Sequence, residues 1–320
     1  MTASAPNFPY CIEASGPVLV FGGPYSNLEA TRAVLAEAAH LAIPPDRVIC
    51  TGDIVAYCGS PVETIDLVRA SGIHVLMGNC DEQVGNGADD CGCGFPAGGQ
   101  CDLLSAAWFA YASARIDRLA RLWLSGRPRT IELLIGDARL RVIHGSVSTI
   151  NAFVFAATPR DLKRGELALA GEADGVIGGH SGLPFTEIVD GRLWHNAGVV
   201  GMPANDGTPR VWFSVLDPEP DGLRIEHRAL SYDHAAAGAA MLAAGLPDPY
   251  RIALSTGIWP NCDVLPAGDA CRQGQFLTEG VVKWRHQRAR GRAAMREGMS
   301  EMCGVMWPEP HINPLTAAAG

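Results

Sequence analysis

Apolar and polar positions alternate between two rhythms over the first quarter of the chain. Short apolar runs at Val18-Leu19-Val20-Phe21, Arg47-Val48-Ile49-Cys50 and His74-Val75-Leu76-Met77 predict strands, while Leu28 to Ala42 and Val62 to Ala70 carry apolar residues at helical spacing. Strands alternating with helices in this way predict a βαβαβ unit with a parallel sheet. The turns following the runs, at 21–27, 52–57 and 78–82, then converge at the carboxyl ends of the strands, where such sheets place their chemistry.

Further along, Asp102 to Leu124 is predicted as one helix, with Leu103, Leu104, Trp108, Tyr111, Ile116, Leu119 and Leu122 in phase and Asp102 as its amino-terminal acid. Thr130 to Ile135 and Leu140 to His144 flank Gly136-Asp137 as a hairpin. Thr158 to Ala170 reads as a helix, Gly175 to Gly179 as a buried strand before His180, and Thr186 to Asn196 as a hairpin around Asp190-Gly191. Val211 to Leu216 and Leu223 to Leu230 complete a second, largely antiparallel set. Beyond Tyr232 an Ala-rich helix, Asp233 to Ala244, is stopped by Gly245, Pro247 and Pro249. Gly257 to Gly274 is irregular and holds Cys262 and Cys271. A basic helix is expected to follow, carrying Lys283, Arg285, Arg288, Arg290, Arg292 and Arg296, as a solvated face or a contact to an anionic substrate. The Pro-rich tail offers Cys303 and His311. The chain divides into an arm (1–16), a domain (17–231) containing a Cys/Gly-rich loop (80–101), and a helical extension with its tail (232–320).

Composition narrows the class. With 320 residues, 48% hydrophobic and 18% charged, the chain can bury a full core. A net charge of −9 argues against a nucleic-acid backbone as the main partner. The amino terminus lacks a basic segment followed by an apolar one, and no apolar run reaches the roughly 18 residues of a membrane span. A soluble, cytoplasmic protein with no membrane partner is expected. Ten cysteines are many for such a chain. Cys80, Cys91, Cys93 and Cys101 crowd one Gly-rich stretch, and there either free thiols in a loop or metal and redox chemistry fits.

The strings TGDIVAY, MGNCDE, VIHGS, GGHSGLP and HNAGVVGMP, in that order, resemble five successive motifs of the calcineurin-like metallophosphoesterases, especially the bacterial branch related to diadenosine tetraphosphatases. The resemblance runs from about Val18 to Asp217, and SYDHAAAGAAMLAAGLPDPYRIALSTGIWP is similar to the carboxyl-terminal segment of that branch. It implies an α/β fold: a four-layer α/β/β/α sandwich of two mixed sheets, here with a helical C-terminal extension. It also implies metal-dependent hydrolysis of a small anionic phosphorylated substrate, a phosphomonoester or a phosphodiester such as a nucleotide.

Two metals serve that chemistry in the family, polarising phosphoryl oxygens and generating a hydroxide nucleophile. The positions matching one metal's shell are Asp53, Asn79, His144 and His180, and all are filled. The positions matching the other are depleted. D-x-H becomes Gly23-Pro24-Tyr25, and the second His of G-H-x-H becomes Gly182. One divalent transition metal per chain is therefore expected, with Mn, Fe or Zn suiting these donors. Tyr25 either supplies a phenolate or packs into the emptied space. Cys91, Cys93 and Cys101 are candidate thiolate ligands. Cys80 stands where the resemblance implies a catalytic His, and ligation, nucleophilic attack and an inert buried thiol are its three readings. Asp81 is expected at the catalytic centre, orienting its neighbours. Tyr57 and Asn27 shape turns, and the turn at Asn196, Gly198 and Gly201 supports the site. The alternatives to hydrolysis are a metal- and thiol-dependent enzyme of another reaction type, possibly redox, or a non-catalytic metal- or nucleotide-binding descendant.

Overall fold

The computed structural model describes residues 10–94, 98 and 100–285, the side chains of 100–102 excepted. In chain order the strands are β1 (Tyr10–Ala14), β2 (Val18–Phe21), β3 (Val48–Cys50), β4 (His74–Val75), β5 (Ile131–Ile135), β6 (Ala138–Val142), β7 (Gly175–Gly178), β8 (Phe185–Val189), β9 (Arg192–Asn196), β10 (Val211–Glu219), β11 (Gly222–Leu230) and β12 (Gly280–Arg285). The helices are α1 (Leu28–His40), α2 (Pro61–Ser71), α3 (Asn79–Asn86), α4 (Gln100–Ser113), α5 (Arg118–Ser125), α6 (Arg160–Leu169), α7 (His234–Ala243), α8 (Asp248–Thr256) and α9 (Ala267–Ala270).

Two six-stranded mixed sheets form, ordered β12-β11-β10-β2-β3-β4 and β1-β5-β6-β7-β9-β8. The expected βαβαβ unit is present, with β2, β3 and β4 parallel. Between the sheets Val18, Val20 and Ile49 meet Ile131, Leu133, Leu140, Ile177 and Leu193. On the outer face of the first sheet Leu19, Phe21 and Val48 pack against Val34 of α1 and Ile65 and Val68 of α2. Outside the second, Val176 and Trp194 pack against Leu167 of α6. Alternate residues of β2 thus feed two different cores, which is why the run is apolar without a break.

Four expectations change. The single helix from Asp102 to Leu124 is two, because the chain breaks after Ser113 and Asp117 caps a new helix by accepting the Ala120 N–H at 2.8 Å. Strands β10 and β11 pair with each other, but β10 also runs antiparallel to β2, so both extend the first sheet and not the second. Tyr10–Ala14, read as part of an arm, forms β1 beside β5. Lys283 and Arg285, expected on a basic helix, lie on β12, with Trp284 between them turned into the core. Arg288, Arg290, Arg292, Arg296, Cys303 and His311 lie outside the described residues. Among the described residues no helix is long and apolar enough to cross a membrane.

Candidate metal centre

The carboxyl ends of β3, β4, β6 and β7 deliver Asp53, Asn79, His144 and His180 to one buried point. Each follows its strand by only a few residues, so the sheet itself sets the spacing of these donors. The turns after β3 and β4 interlock. A Cβ on Gly78 would stand 2.1 Å from Asp53 Oδ1, so only glycine permits this approach. Asp53 itself has φ +59°, an uncommon conformation for a non-glycine residue and one found at functional turns.

The strain is held by Asp81, whose carboxylate accepts backbone N–H groups from Asp53 (2.8 Å), Ile54 (2.9 Å), Val55 (3.3 Å) and Gly78 (3.1 Å). Four N–H donors favour the acceptor-only carboxylate, against burial and the Asp53 charge, which push its pKa up to about 7. Asp81 therefore ties the two turns together and acts on the site through Asp53.

The donor atoms converge on His144. Its Nδ1 lies 2.6 Å from the Thr51 carbonyl, to which it donates, leaving the Nε2 lone pair facing the site. That Nε2 is 3.1 Å from Asp53 Oδ2, 3.1 Å from Asn79 Oδ1 and 3.2 Å from His180 Nδ1. The Asn79 amide is oriented by donating from Nδ2 to the Cys91 carbonyl at 3.0 Å, which turns its oxygen inward. Asp53, His144 and His180 are the group of three ligand-type side chains found within a few ångströms of one another among the described residues, all buried. Lone pairs so crowded repel unless a positive charge sits among them, and nitrogen and oxygen donors of this kind fit a divalent cation. The electrostatics agree. Burial pushes the Asp53 carboxyl up, but the His144 and His180 imidazoles outweigh it and hold the carboxyl below its ordinary value. Burial lowers His144, yet Asp53 more than restores it and raises its pKa. His180 is lowered by burial, and the neighbouring His144 adds to the effect.

Tyr25 is buried beside this group. A Cβ on Gly23 would meet the Tyr25 ring carbons at 2.4–2.7 Å, so the phenol occupies the space that a side chain at position 23 would need. The ring meets Tyr57 edge-on, centroids 4.8 Å apart, and burial and the Asp53 charge raise its phenol pKa well above the ordinary value. Cys80 donates its backbone N–H to Asp53 Oδ1 at 3.0 Å, while its sulfur packs among the core, 3.6 Å from Cys93 Sγ. Burial and Asp53 push that thiol well up, which favours the neutral form. Cys91 and Cys93, the candidate thiolate ligands, are joined to each other in a disulfide. The side chain of Cys101 lies outside the described residues.

Other expectations concern the supports. Asn27 caps α1 through the Ala30 N–H at 3.1 Å and donates to the Gly201 carbonyl. The turn after β9 holds the first loop, with Gly22 N–H on Gly198 O and Gly201 N–H on Gly23 O. Residues that spacing did not single out also reach the site. Phe153 lies over the His180 ring, centroids 4.2 Å apart, and Trp259 and Tyr250 line a cavity that His180 also lines. No short-range pattern marks these three, since they come from distant loops and helices.

The model of the calcineurin-like phosphoesterase superfamily domain matches residues 25–219, more than half of the chain. The chain belongs to this superfamily. An uncharacterized protein of Methanocaldococcus jannaschii is 26% identical over 238 residues, 68% of this chain and 88% of its own. A metallophosphoesterase from Sphaerobacter thermophilus shares the fold with TM-score 0.59 at 23% identity, covering 77% of this chain and 100% of its own. A hypothetical protein from Pyrococcus horikoshii does so with TM-score 0.64 at 17% identity, covering 76% and 99%. Membership in the calcineurin-like superfamily implies metal-dependent phosphoester hydrolysis, and Asp53, His144 and His180 form a group that could hold a metal ion.

Proposed function

We propose that the protein hydrolyses a small phosphorylated substrate, a phosphomonoester or phosphodiester, at a site that holds one divalent transition metal. The observation that carries this reading is the convergence of Asp53, Asn79, His144 and His180 on one point. Asp53 Oδ2, Asn79 Oδ1, His144 Nε2 and His180 Nδ1 would be the ligand atoms, for Mn, Fe or Zn. A metal bound there would polarise a phosphoryl oxygen and lower the pKa of water.

The chain's own groups have separate parts. Thr51 O fixes the His144 ring so that Nε2 faces the site, Cys91 O fixes Asn79, and Asp81 fixes the turn that presents Asp53. The neutral thiol favoured at Cys80 makes an inert or proton-holding role fit better than a nucleophilic one. Tyr25, with its phenol raised well above the ordinary value, fits as a neutral wall of the substrate site. A single-metal reading is supported by the neighbours of the depleted positions, the Tyr25 ring in the space beside Gly23 and Trp259 and Val199 nearest Gly182, none offering a carboxylate or imidazole. With one metal to act on both attacking and leaving oxygens, turnover is expected well below that of a two-metal relative.

Hydrolysis of bis(p-nitrophenyl) phosphate by Mn-loaded protein tests the reading. Slow turnover that disappears in His144→Ala is expected. Turnover unchanged in that variant, or none at all under any divalent metal, would contradict it.

A further inference from the structure

We infer that the aromatic cavity beside His180 is the binding site for the substrate's ester group, and that this group is uncharged and apolar, a single aromatic ring or an alkyl of similar width. The inference rests on the phosphoester reading above, since it names which phosphoesters the site would take.

Position is the first argument. The cavity shares His180 with the donor cluster, and its walls include Tyr25, Tyr57, Phe153, Tyr250 and Trp259, with Gly182 beside His180. A phosphoryl group held at the donors would thus direct one of its ester substituents toward these rings. Chemistry is the second. No Lys, Arg, Asp or Glu lines the cavity among the described residues. Additional phosphates along a chain would need cations to pair with, which these described walls do not offer, whereas an apolar group meets ring faces and edges.

Rigidity is the third argument. Trp259 is fixed by two hydrogen bonds, its Nε1 donating to Pro203 O at 2.6 Å and its backbone N–H to Asn205 Oδ1 at 2.8 Å. Tyr57 is held edge-on between Tyr25 and Trp108, at 4.8 and 5.5 Å. A wall already fixed loses little entropy on binding. Size then limits the occupant. The cavity measures about 70 Å³ and opens to solvent, roughly half of the about 150 Å³ that encloses a whole benzene. One ring therefore enters by its edge and leaves the remainder at the mouth, and a fused ring system gains no more than a single ring does.

Calorimetry on the Mn-loaded full chain with phenylphosphonate and methylphosphonate tests the inference. Phenylphosphonate is expected to bind about tenfold tighter, the effect of burying roughly 55 Å² of apolar surface. Val264→Trp, at a residue that lines the cavity, should abolish the preference, and Trp259→Ala should reduce it. Phenol on metal-free protein supplies a second arm, with a saturation-transfer signal expected for the wild type and lost in Val264→Trp. Equal affinity for the two phosphonates, or tighter binding of pyrophosphate, overturns the cavity assignment and leaves the phosphoester reading standing. Phenol bound with neither phosphonate bound supports the apolar cavity and overturns the phosphoester reading. Failure of all three ligands to bind overturns both.

Discussion

At the scale of single residues, Gly23 and Tyr25 make one unit. The sequence registers two separate departures from the D-x-H pattern, yet the phenol lies where a side chain at position 23 would go, and Gly23 has φ +40°. Restoring the carboxylate alone should therefore do harm. Gly23→Asp is expected to destabilise the protein by about 2–3 kcal/mol through overlap with the ring and a left-handed backbone. Gly23→Asp combined with Tyr25→His should recover the overlap component, about half of the loss, leaving the backbone strain. Urea unfolding of both variants measures this, and a single variant as stable as the wild type would show that the ring swings away freely. Whether Tyr25 ligates or packs was open from the sequence, because the type of a residue does not reveal which space its neighbour has vacated. Cys91 and Cys93 illustrate the same limit. Their C-x-C spacing carries only a weak metal signal, and it did not show that one sulfur pairs with the other.

Among the elements, the sandwich carries a buried polar cluster between its sheets. Thr186 Oγ1 of β8 lies 2.9 Å from His195 Nδ1 of β9 and 2.7 Å from His227 Nε2 of β11, and Ser214 Oγ of β10 is 3.3 Å from His227 Nδ1. Burial lowers His227 from 6.5 to about 4 and lowers His195 well below its ordinary value. Between pH 6.5 and about 4 the unfolded chain takes up a proton that folded His227 refuses. Stability from this group is thus complete above that window and falls as pH drops through it, by on the order of 3 kcal/mol. Urea midpoints at pH 7.5 and pH 5 should differ, and His227→Gln should flatten the difference. An unchanged pH dependence in that variant would show that other groups govern acid sensitivity.

Element types in the first unit were legible because β2 and β3 are continuous apolar runs and α1 and α2 have a clear helical period. Partners were less so. Nothing local in Val211 to Leu216 reveals that Ser214 sits opposite Val20 rather than on the second sheet. The strand β12 had its own signal, Val282 and Trp284 inward with Lys283 and Arg285 outward, but the arginines that follow at helical spacing masked it.

For the molecule as a whole, the fold acts as a frame that brings strand ends from both sheets to one point. Asp53 and Asn79 come from the first sheet, His144 and His180 from the second, so the centre exists only where the two meet. These four were readable from the order of the motifs, whereas the aromatic cavity beside them, assembled from Tyr57, Phe153, Tyr250 and Trp259, was not. Metal binding should in turn fasten the sheets to each other. At a free metal concentration a hundred times its Kd, the gain is about 2.7 kcal/mol, so chelation should lower the thermal midpoint of the wild type and leave His180→Ala unmoved. A midpoint indifferent to chelator in both would place the metal, if any, outside this frame.

The central claim is one metal at one surviving set of donors, and elemental analysis of protein purified without added metal tests it most directly. About one divalent ion per chain is expected in the wild type, with close to none in His180→Ala. Two ions per chain, or one ion retained undiminished in that variant, would contradict the account.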